Sequence, residues 1–527
     1  MKQIKYFIGL MAVCITTVGC LSDLDTAPNS QVVPSLFFRN LDECEVAVNG
    51  IYDKMAGSDD AFGQYYVSLA SLGSHVSTNH IKSPAQNTFA YYTFNAASKE
   101  LRAIWASNYS IIYRANQCVD RITELKVEPG NATDEMHKNR LVGEAKFLRA
   151  LAYFNLVRFW GGVPLVLDEL EDFKNTNRPR TDATLVYDAI VADLKYAEEH
   201  LYNAHWVPST ETALSYGPDA LGKATKGAAK GLLAKVYLTR ASHPLLETEF
   251  YESAYEKANE VVSSGDYILD ESYSNLFTVE GGLSHEWMFQ VQHDFSSLQG
   301  GVWGGVNNPP GKTEAINKGF GRVNSTYDFF KSYEENDPRR DNNICRGKLN
   351  ADNSIDYKPN SRLWYCYKFK FSTKPVAPFQ TDMNVPVLRY GDVVMVLAEA
   401  AAKTNRENEA YDAVDLILSR AQQGGISPSL IDRSLTGDSL LEELFNERAR
   451  EMCFEGSSWF DLVREGETKF LNVLADQKFT NNDDLPEPVF ESVPWAGNAV
   501  VKHLLFPIPV TEMETNSGMA GNQNPGY

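Results

Sequence analysis

The sequence predicts a mainly α-helical protein whose helices pack in pairs around a loop-rich insertion with a few short hairpins. The first observation is the segment Gly143–Pro164, which is apolar nearly all round and then meets a glycine pair and a proline, as a buried helix and its C-terminal end do. The second is that helical patterns recur before about residue 265 and after about residue 386. Between them, short alternating runs separated by Gly, Asn and Pro clusters indicate loops and hairpins.

Several further segments carry the 3.6-residue period of a helix. Three of them begin at Thr181, Lys226 and Phe250 and have alanine-rich faces, which allow close antiparallel packing. Two more, beginning at Asp392 and Leu440, repeat apolar residues at helical spacing after the insertion. The chain therefore divides into a helical region over residues 20–265 and a second region, residues 266–527, that holds the insertion and the returning helices.

The first nineteen residues have the pattern of a secretory signal. They hold two lysines, no acidic residue and an apolar run from Tyr6 to Val18 that is too short to cross a bilayer. The run ends in Val18-Gly19-Cys20, small residues directly before a cysteine, as in the bacterial lipobox. We therefore expect removal of residues 1–19 as a lipoprotein signal peptide and a lipid anchor on Cys20. An ordinary thiol beside an ordinary cleavage site is the alternative.

The net charge argues against two classes of partner. The chain has 49 Lys and Arg against 69 Asp and Glu, a formal net charge of −20. Such a surface repels nucleic acid and anionic lipid headgroups. Outside the signal, no apolar run approaches the roughly 18 residues that a spanning helix needs. Attachment to a membrane would therefore depend on the lipid, since each buried methylene contributes about 0.8 kcal/mol.

The insertion holds two alternating runs and a hairpin with a cysteine on each side. The runs Glu286–Gln292 and Tyr365–Phe371 alternate as half-buried strands do. A turn near Ala351–Asn353 lies between Cys345 and Cys366. Five cysteines remain after processing, at long spacings and without a C-x-x-C motif, which favours buried free thiols. A bridge between the two cysteines of the hairpin is left open.

Four sequence blocks carry a family resemblance. They begin at Phe147 (FLRALAYFNLVRFWGGVPL), Leu388 (LRYGDVVMVLAEAAAK), Asn446 (NERAREMCFEGSSWFDLVREG) and Leu504 (LLFPIPVTEME). In content and order they resemble the recurring blocks of the SusD/RagB family, the surface nutrient-binding lipoproteins of Bacteroidota. Weaker matching segments extend the resemblance over essentially the whole mature chain.

The resemblance implies a bundle of tetratricopeptide-like helix pairs decorated by loops, tethered to the outer membrane and facing outward. It also implies capture of oligosaccharides, or of peptides in the RagB branch, and delivery to a SusC-type TonB-dependent transporter. It implies no chemistry on the ligand. We predict no cofactor and no metal-ligating residues, since no C-x-x-C or paired-His zinc pattern is present; whether a metal ion binds is left open. The acidic stretch Ser22–Asp25 resembles a surface-export signal. Two positions depart from the family: Ser458 replaces an arginine, which puts a structural ion pair in doubt, and His75 replaces a common aspartate, which suggests a different ligand.

Trp303 is the first candidate for ligand binding. Glycan recognition needs flat apolar surfaces that stack on sugar rings and planar polar side chains that bind vicinal hydroxyls. Glycine pairs on both sides leave Trp303 without bulky neighbours, and Asn307 and Asn308 follow it. We expect an exposed platform with two amide partners; packing of the ring onto its own domain is the alternative. Three other tryptophans lie in loop-like sequence: Trp206, Trp364 and Trp495. The remaining four are expected in the core: Trp105, Trp160, Trp287 and Trp459.

The segment Tyr65–Phe94 supplies the second set of candidates. The corresponding early loops contribute to the ligand face in the family, so the resemblance implies binding roles for the polar and aromatic residues here. The alternative for a tyrosine pair such as Tyr91-Tyr92 is a strand with one of the two rings facing inward. The candidates of this segment are Tyr65, His75, Asn79, His80 and Tyr91.

The sequence gives little support to catalysis. It has no G-x-S-x-G, H-E-x-x-H or P-loop motif, and the acidic pairs Asp59-Asp60 and Asp483-Asp484 lie in polar loop sequence. A glycoside hydrolase, which needs two carboxylates about 5 to 9.5 Å apart, and a scaffold without a small ligand are the alternatives left open. We predict a binding protein that is not an enzyme, with a glycan or a peptide as its ligand.

Overall fold

The structure is a computed structural model that describes residues 37–57, 59–79, 88–128, 130–169, 177–210, 214–218, 220–293, 301–310, 319–349, 355–357, 364–370, 381–422, 427–480, 490–492 and 497–527. The signal peptide of residues 1–19, the anchor Cys20, the stretch Ser22–Asp25 and the candidate His80 lie outside these residues. In the part of the chain that is described, no helix has both the length and the apolarity needed to cross a membrane.

Helices make up most of the described chain, in agreement with the predicted fold class. In chain order they are α1 (Leu41–Ala56), α2 (Gln64–Ser71), α3 (Lys99–Glu124), α4 (Ala132–Trp160), α5 (Ala183–His200), α6 (Lys226–Ala241), α7 (Phe250–Ser264), α8 (Tyr273–Leu276), α9 (Trp303–Asn307), α10 (Tyr327–Lys331), α11 (Pro338–Asn343), α12 (Tyr390–Lys403), α13 (Glu407–Ala421), α14 (Gly437–Met452), α15 (Ser458–Arg464), α16 (Glu467–Ala475) and α17 (Val510–Thr515).

Helix α4 confirms the predicted buried helix. It starts at the N-cap Asn131, whose side chain accepts a hydrogen bond from the backbone N–H of Asp134, and it ends at Gly161, whose φ is +71°. From residue 141 to residue 160 only Lys146 and Arg158 are partly exposed. The helix lies against α1, α3 and α5, which explains why its apolar residues surround the whole helix and do not form a stripe.

Consecutive helices pack as pairs, and both predicted regions share one core. Helix α3 packs on α4, α4 on α5, α6 on α7 and α12 on α13. Helix α12 also contacts α6, α7 and α14, so apolar residues from both halves of the chain form one cluster. The mainly helical, paired architecture is confirmed. The boundary at residue 265 stays a prediction.

Short strands lie in the described insertion and in segments beside it. They are β1 (Ser77–Thr78), β2 (Trp287–Val291), β3 (Asn324–Ser325), β4 (Ile344–Cys345), β5 (Gly347–Leu349), β6 (Ile355–Tyr357), β7 (Tyr365–Cys366), β8 (Val385–Arg389), β9 (Lys478–Thr480) and β10 (Phe490–Ser492). One sheet has the order β1-β3-β7-β4, and the other pairs are β2 with β8, β5 with β6 and β9 with β10. Every pairing is antiparallel.

The insertion agrees with its sequence pattern at most positions. Strand β2 confirms the run Glu286–Gln292, and β5 with β6 confirms a hairpin. Of the second run, Tyr365–Phe371, residues 365–370 are described, and among these only the first two form a strand. Further along, the buried Lys368 bonds to the carboxylate of Glu455 and to backbone carbonyls of α14 and the residue after it.

The five cysteines of the described residues are free thiols, as the sequence favours. Cys345 and Cys366 lie on the neighbouring strands β4 and β7, but Cys345 is opposite Tyr365 and Cys366 is opposite Ile344. Both side chains are buried. Burial raises the pKa of the Cys366 thiol, which disfavours the reactive thiolate.

A C-terminal segment closes over the end of α4. The indole N–H of Trp160 donates to the carbonyl of Pro507 at 2.9 Å, and the N–H of Phe506 donates to the carbonyl of Phe159 at 2.8 Å. The side-chain amide of Asn524 donates to the carbonyl of Trp160 at 3.0 Å. The last carbonyls of α4, which have no partner within the helix, therefore bind to residues more than 340 positions later in the chain.

A buried ion network joins the insertion to the returning helices. Its centre is Glu451 of α14, which is fully buried. Its carboxylate lies 2.7 Å from Arg389 at the end of β8, 2.5 Å from Arg420 of α13 and 3.2 Å from Arg339 of α11. Burial alone would raise the pKa of Glu451, but the surrounding cations hold this pKa well below its usual range. One carboxylate therefore fixes three elements.

Two further carboxylates complete this network. Glu286 lies 2.7 Å from Arg389 and 3.2 Å from Arg420, while Glu455 lies 2.8 Å from Arg389 and 2.6 Å from Lys368. All of these side chains are buried. Because each buried charge has a partner of opposite sign, the network avoids the large desolvation cost of an isolated charge.

The segment around Ser458 keeps its ion pairs without an arginine at that position. Ser458 is buried at the start of α15. The carboxylate of Asp461, one turn further, lies 2.9 Å from Arg448 and 3.2 Å from Arg464. A serine at position 458 cannot form an ion pair, but Asp461 still pairs with two guanidinium groups.

We expect Glu451→Gln to destabilise the protein strongly, because two or more buried guanidinium groups lose their shared anion while the side-chain volume is kept. Removal of one partner from a buried ion network costs about 3 to 5 kcal/mol. Arg433→Ala is the control, since Arg433 forms an exposed pair with Asp412 and exposed pairs contribute roughly 0 to 1 kcal/mol. Urea unfolding would measure both changes; equal midpoints for the two variants would contradict the structural role of Glu451.

Candidate ligand-binding site

Trp303 lies in the core, so the expectation of an exposed platform is wrong. Its side chain is 1% exposed. The indole ring lies 6.3 Å from the ring of Tyr66 and 6.1 Å from that of Phe369. A Cβ at Gly456 would be 3.2 Å from the indole. Small neighbours therefore let other elements pack closely on Trp303, and they do not expose it.

Asn307 and Asn308 are also buried, so the structure gives them no access to a ligand. Both are 0% exposed. The amide nitrogen of Asn308 donates to the carbonyl of Phe369. The amide oxygen and nitrogen of Asn307 have no hydrogen-bond partner in the described part of the protein. Both residues therefore belong to the interior beside Trp303.

Three candidates of the early segment also point inward, wholly or in part. The ring of His75 lies 4.6 Å from the ring of Phe445, and both of its nitrogens are buried. Asn79 is fully buried, and its carbonyl accepts a hydrogen bond from the half-buried Tyr91 at 3.3 Å. His75 is thus half-buried with both ring nitrogens turned inward, so the structure gives its polar atoms no access to a ligand.

Tyr65 is the candidate that the structure leaves at the surface beside other residues suited to binding. We define the Tyr65 patch as the half-buried side chains of Gln64, Tyr65, Phe320 and Arg322 together with the exposed side chain of Lys99. Gln64 and Tyr65 open α2, whereas the following residues 66–71 of this helix are all buried. Helix α2 packs on α3, α9 and α15, which fixes its exposed first turn in place.

The segment from Phe320 to Arg322 is fixed to α9 by its backbone. The N–H groups of residues 320, 321 and 322 donate to the carbonyls of residues 305, 308 and 306, at 2.7, 2.8 and 3.0 Å. Gly321 has a φ of +59°, and a Cβ there would lie 2.6 Å from the ring of Tyr365. A larger residue at Gly321 would therefore displace both Phe320 and Arg322.

Hydrogen bonds and ring contacts orient the polar groups of the patch. The Nη1 of Arg322 donates to the Oε1 of Gln64 at 2.9 Å, and its guanidinium carbon lies 4.3 Å from the ring centroid of Phe320. Burial lowers the pKa of Arg322, while nearby Tyr65 acts in the opposite direction. The Nζ of Lys99 lies 5.7 Å from the ring centroid of Tyr65. Aromatic faces, an amide and two cations thus occur on one surface.

Sequence reasoning found Tyr65 but missed the other four residues of the patch. Gln64 and Lys99 have no local feature that sets them apart. Arg322 has one, because residues 319–325 contain no other charged side chain and the nearest aromatic residue is only two positions away. An isolated arginine close to a phenylalanine and a glycine is therefore the sequence pattern that could have identified Phe320 and Arg322 as candidate binding residues.

A separate cavity of about 330 Å³ lies between α1 and β2. Its lining includes Asn49, Tyr52, Lys223 and Gln292. Much of this polar lining is already engaged, since Lys223 bonds to Glu45, Asn49 and Glu144, and the hydroxyl of Tyr52 donates to Glu144 at 2.8 Å. We therefore favour the Tyr65 patch as the candidate site. Within the described residues, no group of three or more His, Cys, Asp or Glu side chains could hold a metal ion.

The scaffold of paired helices thus brings aromatic rings and planar polar groups from two helices and one connecting segment onto one surface. Residues 252–527 match the family described as the SusD family, and residues 24–238 match the one described as starch-binding associating with outer membrane. The chain belongs to the SusD/RagB family.

Relatives and solved structures agree with this assignment over nearly the full chain. SusD-like protein P2 of Formosa agariphila is 25% identical and covers 99% of this chain and 100% of that protein. A SusD homologue of Bacteroides thetaiotaomicron has a TM-score of 0.76 at 23% identity, with 94% of this chain and 98% of that chain covered. A laminarin-binding SusD-like protein has a TM-score of 0.72 at 23% identity, with coverages of 93% and 100%.

We expect His75 to make stability depend on pH. Burial lowers the pKa of His75 to about 4, below the value of about 6.5 for an exposed histidine. Between these two values the unfolded chain binds a proton that the folded chain does not, so stability falls as pH falls, by up to about 1.4 kcal/mol per pH unit. His75→Phe should reduce this slope in urea unfolding between about pH 6.5 and pH 4.

The exposed His285, changed to Phe, is the matched control for this experiment. A slope that is unchanged in His75→Phe but reduced in the control would show that His75 is not a buried neutral histidine.

Proposed function

We propose that this chain is a cell-surface lipoprotein that captures glycans and passes them, unmodified, to a SusC-type TonB-dependent transporter. The observation that carries the glycan part is the Tyr65 patch, with two half-buried rings beside an amide and a guanidinium group. The match to a family described as starch-binding associating with outer membrane supports the same ligand class and location, and so does the likeness to a laminarin-binding protein.

The patch can recognise a sugar through two kinds of contact. One face of a sugar ring is a set of C–H groups, which can cover the ring of Tyr65 or of Phe320 and remove apolar surface from water at about 25 cal/mol per Å². The fixed guanidinium of Arg322 and the amide of Gln64 have planar geometry that suits vicinal hydroxyl groups. Stacking would supply affinity, and these polar groups would select the orientation of the ring.

We expect Tyr65→Ala to weaken glycan binding without unfolding the protein. A half-buried aromatic ring on which a sugar stacks contributes roughly 1 to 3 kcal/mol, which corresponds to a loss of about 5-fold to 150-fold in affinity. Tyr65→Phe keeps the ring and should bind nearly as well as the wild type. The measurement is calorimetry with the best ligand from a combined glycan and peptide array on residues 21–527, paired with thermal melts.

Gln292→Ala locates the site, because Gln292 lines the cavity between α1 and β2 and is not part of the patch. Weaker binding in Gln292→Ala together with unchanged binding in Tyr65→Ala would move the site to that cavity. Binding of peptides alone would replace the glycan by a peptide ligand, and new reducing ends after incubation would show a glycoside hydrolase. An array without any hit would favour a scaffold.

We expect the anchor and the transporter partnership to be visible in one membrane preparation. With an affinity tag after Tyr527, the wild type should be found in the outer membrane and should elute from mild detergent with a TonB-dependent transporter. Cys20→Ala should be released from the membrane, because a chain with a net charge of −20 has no electrostatic attraction to anionic lipid. Cys14→Ala, which changes a cysteine inside the apolar run, should stay anchored.

Two results would contradict this part of the proposal. Retention of Cys20→Ala in the membrane pellet of cells that lack the transporter would refute the lipid anchor. Elution of the tagged wild type alone, from cells that express the transporter, would indicate a free-standing surface binder.

A further inference from the structure

Among the described residues, the two cations of the Tyr65 patch have no carboxylate partner. Neither the exposed Lys99 nor the half-buried Arg322 forms an ion pair there, whereas each buried guanidinium group contacts at least one carboxylate. Those groups are Arg140, Arg149, Arg240, Arg339, Arg389, Arg420, Arg448 and Arg464. In a chain with 20 excess negative charges, two neighbouring cations without such a partner make this surface locally positive.

The position of Arg322 disfavours its own charge. The side chain is half-buried, and this burial lowers its pKa. Its hydrogen bond goes to the neutral Oε1 of Gln64, and its guanidinium plane lies by the ring of Phe320. Cation–ring contacts offset only part of the desolvation of a charge. A bound anion would supply the missing compensation.

Asp59 is the carboxylate that reaches this group of residues through hydrogen bonds. It accepts from the Nε2 of Gln64 at 2.7 Å, so Gln64 separates Asp59 from the guanidinium of Arg322. Asp59 is exposed. Two cations and one carboxylate leave the patch with a net positive charge.

We propose that the glycan bound at the Tyr65 patch carries an anionic group, either the carboxylate of a uronic acid or a sulfate ester. Arg322 would bind the anion through the guanidinium N–H groups that do not donate to Gln64. A planar guanidinium can hold a carboxylate or a sulfate with two parallel hydrogen bonds. Lys99 would add a second positive charge above Tyr65, on which the sugar ring stacks. This inference rests on the proposed function, because it names the class of glycan for the same site.

Matched pairs of oligosaccharides test the inference. The first pair is an oligogalacturonate and its fully methyl-esterified form, and the second is a sulfated galactan oligosaccharide and its desulfated form. We expect the charged member of at least one pair to bind about tenfold or more tightly than its neutral partner, and the difference to shrink at high salt. The pair that shows the preference identifies the anion as carboxylate or sulfate.

Variants connect the preference to the two cations. Arg322→Gln and Lys99→Gln should each reduce the affinity for the charged member by more than the affinity for its neutral partner, so that the preference shrinks. Lys126→Gln, the same change of charge at an exposed position beyond the end of α3, should not alter it. Because Lys99 lies on a different element from Arg322, a fold defect in one variant does not affect the conclusion from the other; thermal melts identify such a defect.

Different results would overturn the anionic ligand and the glycan receptor. Equal binding of charged and neutral members, or binding of neutral glycans alone at Tyr65, would overturn the anionic ligand and keep the glycan receptor. A preference that survives in both Arg322→Gln and Lys99→Gln would place the anion elsewhere and overturn the assignment to these cations. Absence of binding to any glycan would overturn both proposals.

Discussion

The carboxylate of Glu451 is the group on which the arrangement of the insertion depends. It binds arginines from α11, β8 and α13, and these elements come from the insertion and the returning helices. Buried ion pairs add little net stability compared with apolar packing, but they allow few alternative arrangements because each charge must keep its partner. The network therefore determines where the insertion lies. The Tyr65 patch draws two of its side chains from the insertion, so its geometry depends on the same constraint.

Local sequence patterns predicted the helices and strands that depend on local periodicity. Helix α4 is an example, since burial on all sides appears directly in the order of its apolar residues. Strand β2 lies where the alternating run predicts a strand, but all five of its residues are buried and not only those of one face. The burial of Trp303 could not be predicted in this way. Its ring contacts Tyr66 and Phe369, which are distant in the chain, and neighbouring glycines are as compatible with close packing as with an open loop.

The cations of the candidate site show a second limit of sequence reasoning. A lysine or arginine is informative at a surface only when its possible carboxylate partners are known to be elsewhere, and that knowledge requires the positions of 69 acidic residues. Tyr65 was recognised from its residue type, whereas Lys99 and Arg322 become recognisable through the ion pairs that they lack among the described residues. Trp303 still matters to the site, because it packs behind Tyr66, the residue next to Tyr65.

The closure of α4 by the C-terminal segment has a consequence for the order in which the chain can fold. The end of α4 is synthesised early. The carbonyl of Phe159 binds Phe506, and the carbonyl of Trp160 binds Asn524 in addition to Arg180, so two of these bonds close with residues more than 340 positions later. Contacts at such long separations form slowly, because the intervening chain must lose much of its freedom first. The end of α4 consequently stays uncovered until the C-terminal segment has been synthesised.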